Sequence, residues 1–432
     1  MRPSSNLLRV LAVLLGSAAL SASAADLRLY SSFSEVRGDV SATSRTFTLT
    51  LPQDVWQNMI PGTLGLDGLS FTSAVQAQQD TWLKSLEGQR VTLRENGKRS
   101  PVTLIRAADL LIRDAAGEYR TVSYAQLSFP SPPPLGAQLP SQSILFRLKA
   151  AGKGVVSYLT RGLSWTPRYT LQVTSGTADR AALRALADIR NATTQAYRVS
   201  STELFAGEVK IESDGVSQTI PPLSGYLPLP AVPIAGAAMS SPVPLDTING
   251  LYRYGLNTAY VLQPRSTLTL PFLTPKLSSF LRYATLDSSF SPLDSQGVLD
   301  RSYRLKADQN LPGGIVTVRE AGRIVGQASM PDTARNREIR LTLGRDPDLS
   351  YTRHAETLGT TPNNGGTYRV TYVFTSNKDR AFPVEVREQI DGRKVLLDGL
   401  KAQNQVIVKR RIEVAAHGTA RVSFTVIINN DD

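Results

Sequence analysis

Apolar side chains recur at every second position through much of this 432-residue chain. The runs DVSATSRTFTLTL, YRVTYVFTSN, PVEVREQI, QVIVKRRIEV and ARVSFTVII show it most clearly. A period of two is the repeat of a strand with one face buried. Thirty-one glycines and 26 prolines cut these runs into short pieces, as in turn-dense β proteins. Only SAVQAQQDTWLKSLEG, residues 73–88, reads as a helix: Ser73 can cap it, Gly88 can end it, and Ala74, Ala77, Trp82 and Leu86 share a face. The expected fold class is all-β: tandem immunoglobulin-like β-sandwiches with a small inserted β-barrel and one short helix.

Residues 1–24 read as a secretory signal. Arg2 and Arg9 form a positive start, Leu11 to Leu15 open an apolar core, and Ala22-Ser23-Ala24 is a small-x-small cleavage site. Residues 25–87 supply strands and the helix that complete a first sandwich. Residues 88–135 form the small barrel, whose hairpin turns at Asn96-Gly97. Such barrels bind peptides or nucleic acid, but Tyr119, Tyr124 and Phe129 form no evident stacking row. PSPPPLGAQLP is a semi-rigid linker. The first sandwich runs over 136–300 and the second over 301–432. Within the first, residues 218–247 are too rich in proline for ladder pairing. That loop carries Leu223, Tyr226, Leu227, Leu229, Val232 and Ile234, apolar side chains unusual in a free linker and a candidate protein contact.

The centre of the first sandwich is GVVSYLTRGLSWTPRYTLQV, residues 154–173. Two β-rich runs flank RGLSWTPR. Gly162 permits a turn conformation closed to other residues. Pro167 fixes its own φ and pushes Thr166 toward an extended conformation. Trp165 can anchor a core if its indole N–H finds an acceptor, with a ligand-binding aromatic clamp as the alternative. Arg161 and Arg168 can cover an aromatic face or meet a carboxylate.

SYLTRGLSWTPRY resembles the signature of the mucoidy-inhibitor-like family of exported bacterial proteins, a domain of unknown function. ADIRNATTQAYRVSSTELFAGEV, LTLPFL, LPGGIVTVREAGRIVGQASMPDT, LTLGRDPDLS and YVFTSNKDRAFPVEVREQI follow in the same order. The likeness covers residues 140–432 and, more weakly, 26–135. Its signature residues here are Tyr158, Arg161, Gly162, Trp165, Pro167, Arg168 and Tyr169. The resemblance implies an all-β fold, and it makes LRALADIRN a strand despite its Ala-rich helical propensity. It implies no activity, because the family has no agreed one. Many longer relatives hold a coiled-coil insert; no heptad run occurs here.

The residue types limit the chemistry. With no cysteine, thiolate nucleophiles, disulfides and zinc–sulfur sites are excluded. His354 and His417 are the only histidines, too few for a His-rich metal site. Asp346 and Asp348 stand two apart, but no further oxygen ligands follow in a loop pattern, so Asx-turn chemistry is the better account. Asn191-Ala192-Thr193 fits a glycosylation acceptor only as a weak three-residue pattern. No G-x-S-x-G elbow is present. Asp188, Glu203, Glu385 and Glu388 are candidate acids, but no spacing selects a pair for glycoside hydrolysis. No cofactor is expected.

The net charge is +12, which favours acidic surroundings. Lys409, Arg410 and Arg411 form the densest basic run, and alternation turns Arg410 away from its neighbours. The leading expectation is a non-enzymatic exported cell-envelope protein, in the periplasm or at the outer surface. It would contact a surface-layer or outer-membrane assembly and have no transmembrane span in the mature chain. The alternatives are a polyanion-binding protein, for DNA or acidic polysaccharide, and a carbohydrate-active hydrolase.

Overall fold

A computed structural model describes residues 17–19, 25–79, 82–95, 97–133, 141–174, 179–211, 243–248, 250–256, 258–361, 365–399 and 403–430. The fold is all-β, with multiple sheets and one short α-helix. The chain divides into two compact units. The first comprises residues 1–166 and 188–270, the second residues 167–187 and 271–432. The chain therefore changes unit inside strand Leu163–Thr174, again inside Arg180–Asn191, and a third time at the end of Ser266–Pro271.

In the first unit, Ala25–Leu29 lies between Ser34–Ala42, antiparallel, and Tyr197–Ala206, parallel. Gly152–Thr160 continues this sheet beside Ser34–Ala42 over nine consecutive pairs, Gly152↔Ala42 to Thr160↔Ser34. A second sheet has the order Ser17–Ala19, Thr46–Pro52, Ser141–Leu148, Phe71–Gln79. Of the leader-like residues 1–24, only Ser17–Ala19 is described; it runs parallel to Thr48, Leu49 and Thr50.

The helix expected over 73–88 does not form. Phe71–Gln79 is a strand that pairs with Ser141–Leu148, and helical geometry is confined to a 3-10 turn, Trp82–Leu86. A helix would close its hydrogen bonds locally, whereas residues 71–79 meet a partner strand, and this tertiary pairing overrides the favourable helix propensity of Ala and Gln. The α-helix is Gln53–Asn58 instead. Pro52 precedes it, and Asp54 in its first turn accepts the Val55 N–H.

Between the paired strands Phe71–Gln79 and Ser141–Leu148, the chain builds a small lobe with its own core. Its five-stranded antiparallel sheet has the order Tyr119–Thr121, Leu111–Arg113, Lys98–Arg106, Arg90–Glu95, Leu127–Ser128. The hairpin register Glu95↔Lys98 is the one Asn96-Gly97 predicts. Leu83 and Leu86 from the 3-10 turn join Val91, Leu93, Val102, Leu104 and Ile112 in the lobe's apolar centre.

In the second unit, residues 168–173 pair in parallel with residues 315–320 of Gly314–Glu320. That strand forms a hairpin with Arg323–Met330, turning at Ala321 and Gly322, whose φ angles of 46° and 77° both lie in the left-handed region. The remaining strands form one sheet in the order Leu277–Ser289, Ser295–Ala307, Glu338–Thr361, Gly365–Ser376, Thr419–Asn429, Phe382–Leu397. The sheet closes on itself. Phe382–Leu397 pairs with Thr419–Asn429 near its end, Lys394↔Asn429 to Leu397↔Val426. Earlier, it pairs in parallel with the first strand, Ala284↔Val384 to Ser289↔Gln389. The result is a closed six-strand barrel filled by side chains that include Leu299, Leu349, Val370, Phe374, Val384 and Val426. Gln403–Val414 flanks it on Phe382–Leu397. The expected start of a second sandwich near residue 301 falls within barrel strand Ser295–Ala307, because the barrel needs residues 277–289 to close.

The small lobe has a separable core, and fully buried Leu104 lies in it. Leu104→Ala is expected to cost about 2–5 kcal/mol there. Hydrogen exchange should accelerate over residues 82–128 and stay unchanged in barrel strands 365–397.

Candidate functional site

The family-like signature is a piece of architecture. Strand Gly152–Thr160 stops at Arg161 and Gly162, and strand Leu163–Thr174 begins at once, so the bend is two residues long and SWTPR lies within a strand. Gly162 is not in the left-handed region, which corrects the conformational reason for a glycine there. The reason is space: a Cβ would lie 2.5 Å from Thr193 Cγ2. Gly162 donates its N–H to Thr160 Oγ1 at 2.9 Å and accepts the Ala192 N–H at 2.8 Å. Buried Asn191 holds the facing loop. Its Oδ1 accepts from Thr193, and its Nδ2 donates to the Gln195 and Gln263 carbonyls at 2.7 and 2.9 Å. The Asn191 amide is thus spent on the backbone. Asp54 completes the loop by accepting the Thr194 N–H and hydroxyl at 2.6 and 2.7 Å.

The other signature residues also have structural partners. Trp165 is buried, and its indole donates to the Phe205 carbonyl at 3.2 Å. Tyr158 is buried with its hydroxyl 3.4 Å from that of Tyr197, and burial pushes both phenols above their usual range. Pro167 is tolerated within its strand because the parallel ladder starts one residue later, at Arg168↔Ile315. Tyr169 donates to the Pro312 carbonyl at 2.7 Å. Arg161 and Arg168 are exposed.

The barrel holds a charge network that the sequence did not reveal. Arg353 and Glu388 are 4% and 0% exposed. The guanidinium donates Nη2 and Nε to Glu388 Oε1 at 2.6 and 3.1 Å and Nη1 to the Leu293 carbonyl at 2.8 Å. Tyr372 donates to Glu388 Oε2 at 2.7 Å, and burial raises the pKa of this tyrosine. The guanidinium also lies over the Phe290 and Tyr372 rings. Both charges are thereby desolvated and compensated together. Near the start of the barrel, Glu320 accepts from Tyr303 at 2.6 Å and from Arg282 at 2.9 Å.

Of the four candidate acids, Asp188 and Glu203 lie in the first unit and Glu385 and Glu388 in the second. Asp188 accepts from Thr269 at 2.6 Å, and Glu203 lies 3.3 Å from both Arg28 and Arg253. Glu385 is held by Arg304 and Glu388 by Arg353, on opposite faces of one strand. Glu385 and Glu388 therefore face no common bond. Asp346 Oδ1 accepts the Asp348 N–H at 3.3 Å, the expected Asx arrangement, and Lys378 Nζ sits 2.8 Å from Asp346 Oδ2. A lysine ammonium thus stands where a cation would. His354 meets Asp294 at 2.8 Å and His417 meets Asp379 at 3.1 Å, both exposed. Among the described residues, no group of three His, Asp or Glu could hold a metal ion.

Lys409 and Arg411 are exposed on one face of Gln403–Val414. Arg410 turns to the other, pairing with Asp398 at 2.5 Å and lying 6.0 Å from the Phe424 ring. The expected basic run is thus divided. A groove of about 400 Å³ opens beside this strand, lined by Asp287, Ser288, Ser289, Arg387, Gln389 and Ile407. The candidate contact residues Leu223, Tyr226, Leu227, Leu229, Val232 and Ile234 lie outside the described residues. In the small lobe, Phe129 contacts both Trp82 and Tyr124, with ring centroids 5.0 and 5.3 Å apart. That cluster escaped sequence reading because Trp82 precedes the lobe's first strand.

Comparison with known protein families, with curated proteins and with solved structures returned no match. No helix among the described residues is long and apolar enough to cross a membrane.

Two substitutions test these arrangements by urea unfolding. Gly162→Ala should lower stability by about 1–3 kcal/mol through its clash with Thr193, and Thr193→Ser, which removes Cγ2 but keeps the hydroxyl, should restore most of the loss. Glu388→Gln leaves Arg353 buried without a counter-charge and should cost about 3–5 kcal/mol. The pair Arg353→Met with Glu388→Met should cost less than Glu388→Gln alone.

Proposed function

We propose that this chain is an exported, non-enzymatic protein of the bacterial cell envelope, a structural or interaction module that contacts a surface or outer-membrane assembly. One observation carries the reading. The most distinctive stretch of the sequence, residues 158–169, commits its buried side chains to packing and to backbone hydrogen bonds. A catalytic signature would instead present a reactive group to an opening. The candidate carboxylates support the same reading, since Glu203, Glu385 and Glu388 each face an arginine. The leader-like residues 1–24 and the resemblance to mucoidy-inhibitor-like proteins supply the envelope location, periplasmic or at the outer surface.

The test is the native size of the protein in gently solubilised envelopes, with identification of whatever migrates beside it. Migration in a large assembly with other envelope proteins is the expected result. Deleting residues 221–242, the apolar proline-rich segment ahead of strand Val243–Ile248, should then release the chain. Migration free of any other envelope component overturns the proposal.

A further inference from the structure

The sheet edge formed by Phe71–Gln79 is unlike the other strand edges among the described residues. It is the last strand of its sheet, and no described strand pairs with its outer side. An unpaired edge presents a row of N–H and C=O groups that templates another strand, and proteins usually blunt it. Elsewhere in this chain they are blunted. Gln403–Val414 carries Lys409, Arg410 and Arg411. Arg323–Met330 begins with Arg323, and its register with the neighbouring strand is broken near Gly326. Val243–Ile248 contains Pro244, Asp246 and a register shift between them. Ser266–Pro271 ends in proline. Ser17–Ala19, Gly65–Asp67, Tyr119–Thr121 and Tyr260–Leu262 are three residues long, and Leu127–Ser128 is two.

Phe71–Gln79 has none of these devices except a register shift at Thr72, where Ser73 pairs with Arg147 and Phe71 with Leu148. Its nine residues, FTSAVQAQQ, include no charge, no proline and no glycine. Phe71 and Val75 are 45% and 54% exposed.

We propose that this edge is a self-association site, where two copies of the chain pair antiparallel through Phe71–Gln79 about a two-fold axis at Val75. Backbone chemistry requires an extended strand as the occupant. Charge selects a second copy: two chains of net charge +12 repel in general, but a strand without charge meets its own copy with no like charges opposed. Centring on Val75 pairs 73 with 77 and 74 with 76 within Ser73–Gln79, the run of regular register. It places the two exposed valines face to face and continues one four-stranded sheet into the other. The pairing is isologous and closes at two copies, because each sheet spends its one unguarded long edge. This inference is independent of the envelope reading and is tested on the purified full chain.

Sedimentation across a dilution series should give twice the chain mass, falling to the single-chain mass on dilution. Val75→Lys puts two ammonium groups together at the axis and should leave the single-chain mass throughout, with an unchanged circular dichroism spectrum. The chain has no cysteine, so Val75→Cys introduces the sole thiol. Mild oxidation should join two copies through it, and should not do so for Ile324→Cys, which is 58% exposed on a guarded edge. A single-chain mass at every concentration, a dimer that survives Val75→Lys, or equal crosslinking by the Ile324→Cys control would overturn the proposal.

Discussion

The second unit depends on a parallel pairing between residues 284–289 and 384–389. About a hundred residues of chain separate the two runs, so the closing ladder rewards a large loop closure only at the end. Everything inside the barrel follows from that register. It sets Ser288 beside Glu388, while the separate ladder of Glu338–Thr361 with Gly365–Ser376 sets Arg353 beside Tyr372. The carboxylate, the guanidinium and the phenol then meet at hydrogen-bond distance. Shifting the closing strand by one residue would turn Glu388 outward and leave Arg353 buried alone. The charge network thus acts against misregistered closure, where an all-apolar interior would be more permissive.

What could be read from the sequence was local. The turn at Asn96-Gly97 carries its own instruction, and the hairpin occurs where those residues place it. The period-two pattern gives the strands but not their partners. Residues 73–79 failed because Ala and Gln favour a helix, and the deciding factor, the strand Ser141–Leu148, lies on the far side of the small lobe. Residues 180–191 show the converse: helical composition yields to an alternation in which Leu183, Ala185, Ala187 and Ile189 are all buried. Gly162 was recognised as necessary for the wrong reason, since Thr193 was not visible as its neighbour.

The candidate site was less legible than the fold. Trp165 as a core residue with a bonded indole followed from its chemistry alone. The pairings of Glu388 with Arg353, Glu385 with Arg304 and Asp346 with Lys378 did not, because each joins strands whose adjacency is a product of topology. Acids that look available along the chain are already matched to basic groups by the fold. Much of the chain's basic charge is likewise paired internally, but pairing uses acids and bases one for one, so the excess of +12 is what remains for a partner.

The three crossings between units have a consequence for how the chain must be assembled. Neither unit is a continuous stretch, so no single cut releases either one whole. Residues 168–173 lie among the segments of the first unit in chain order, yet their parallel partners are residues 315–320. A chain that emerges from one end, from a ribosome or through a pore, can pair this strand with Arg180–Asn191 at once but must carry its other edge unpaired until well past the midpoint. The interleaved order therefore acts as a timer that holds back final consolidation until most of the polypeptide is on the same side.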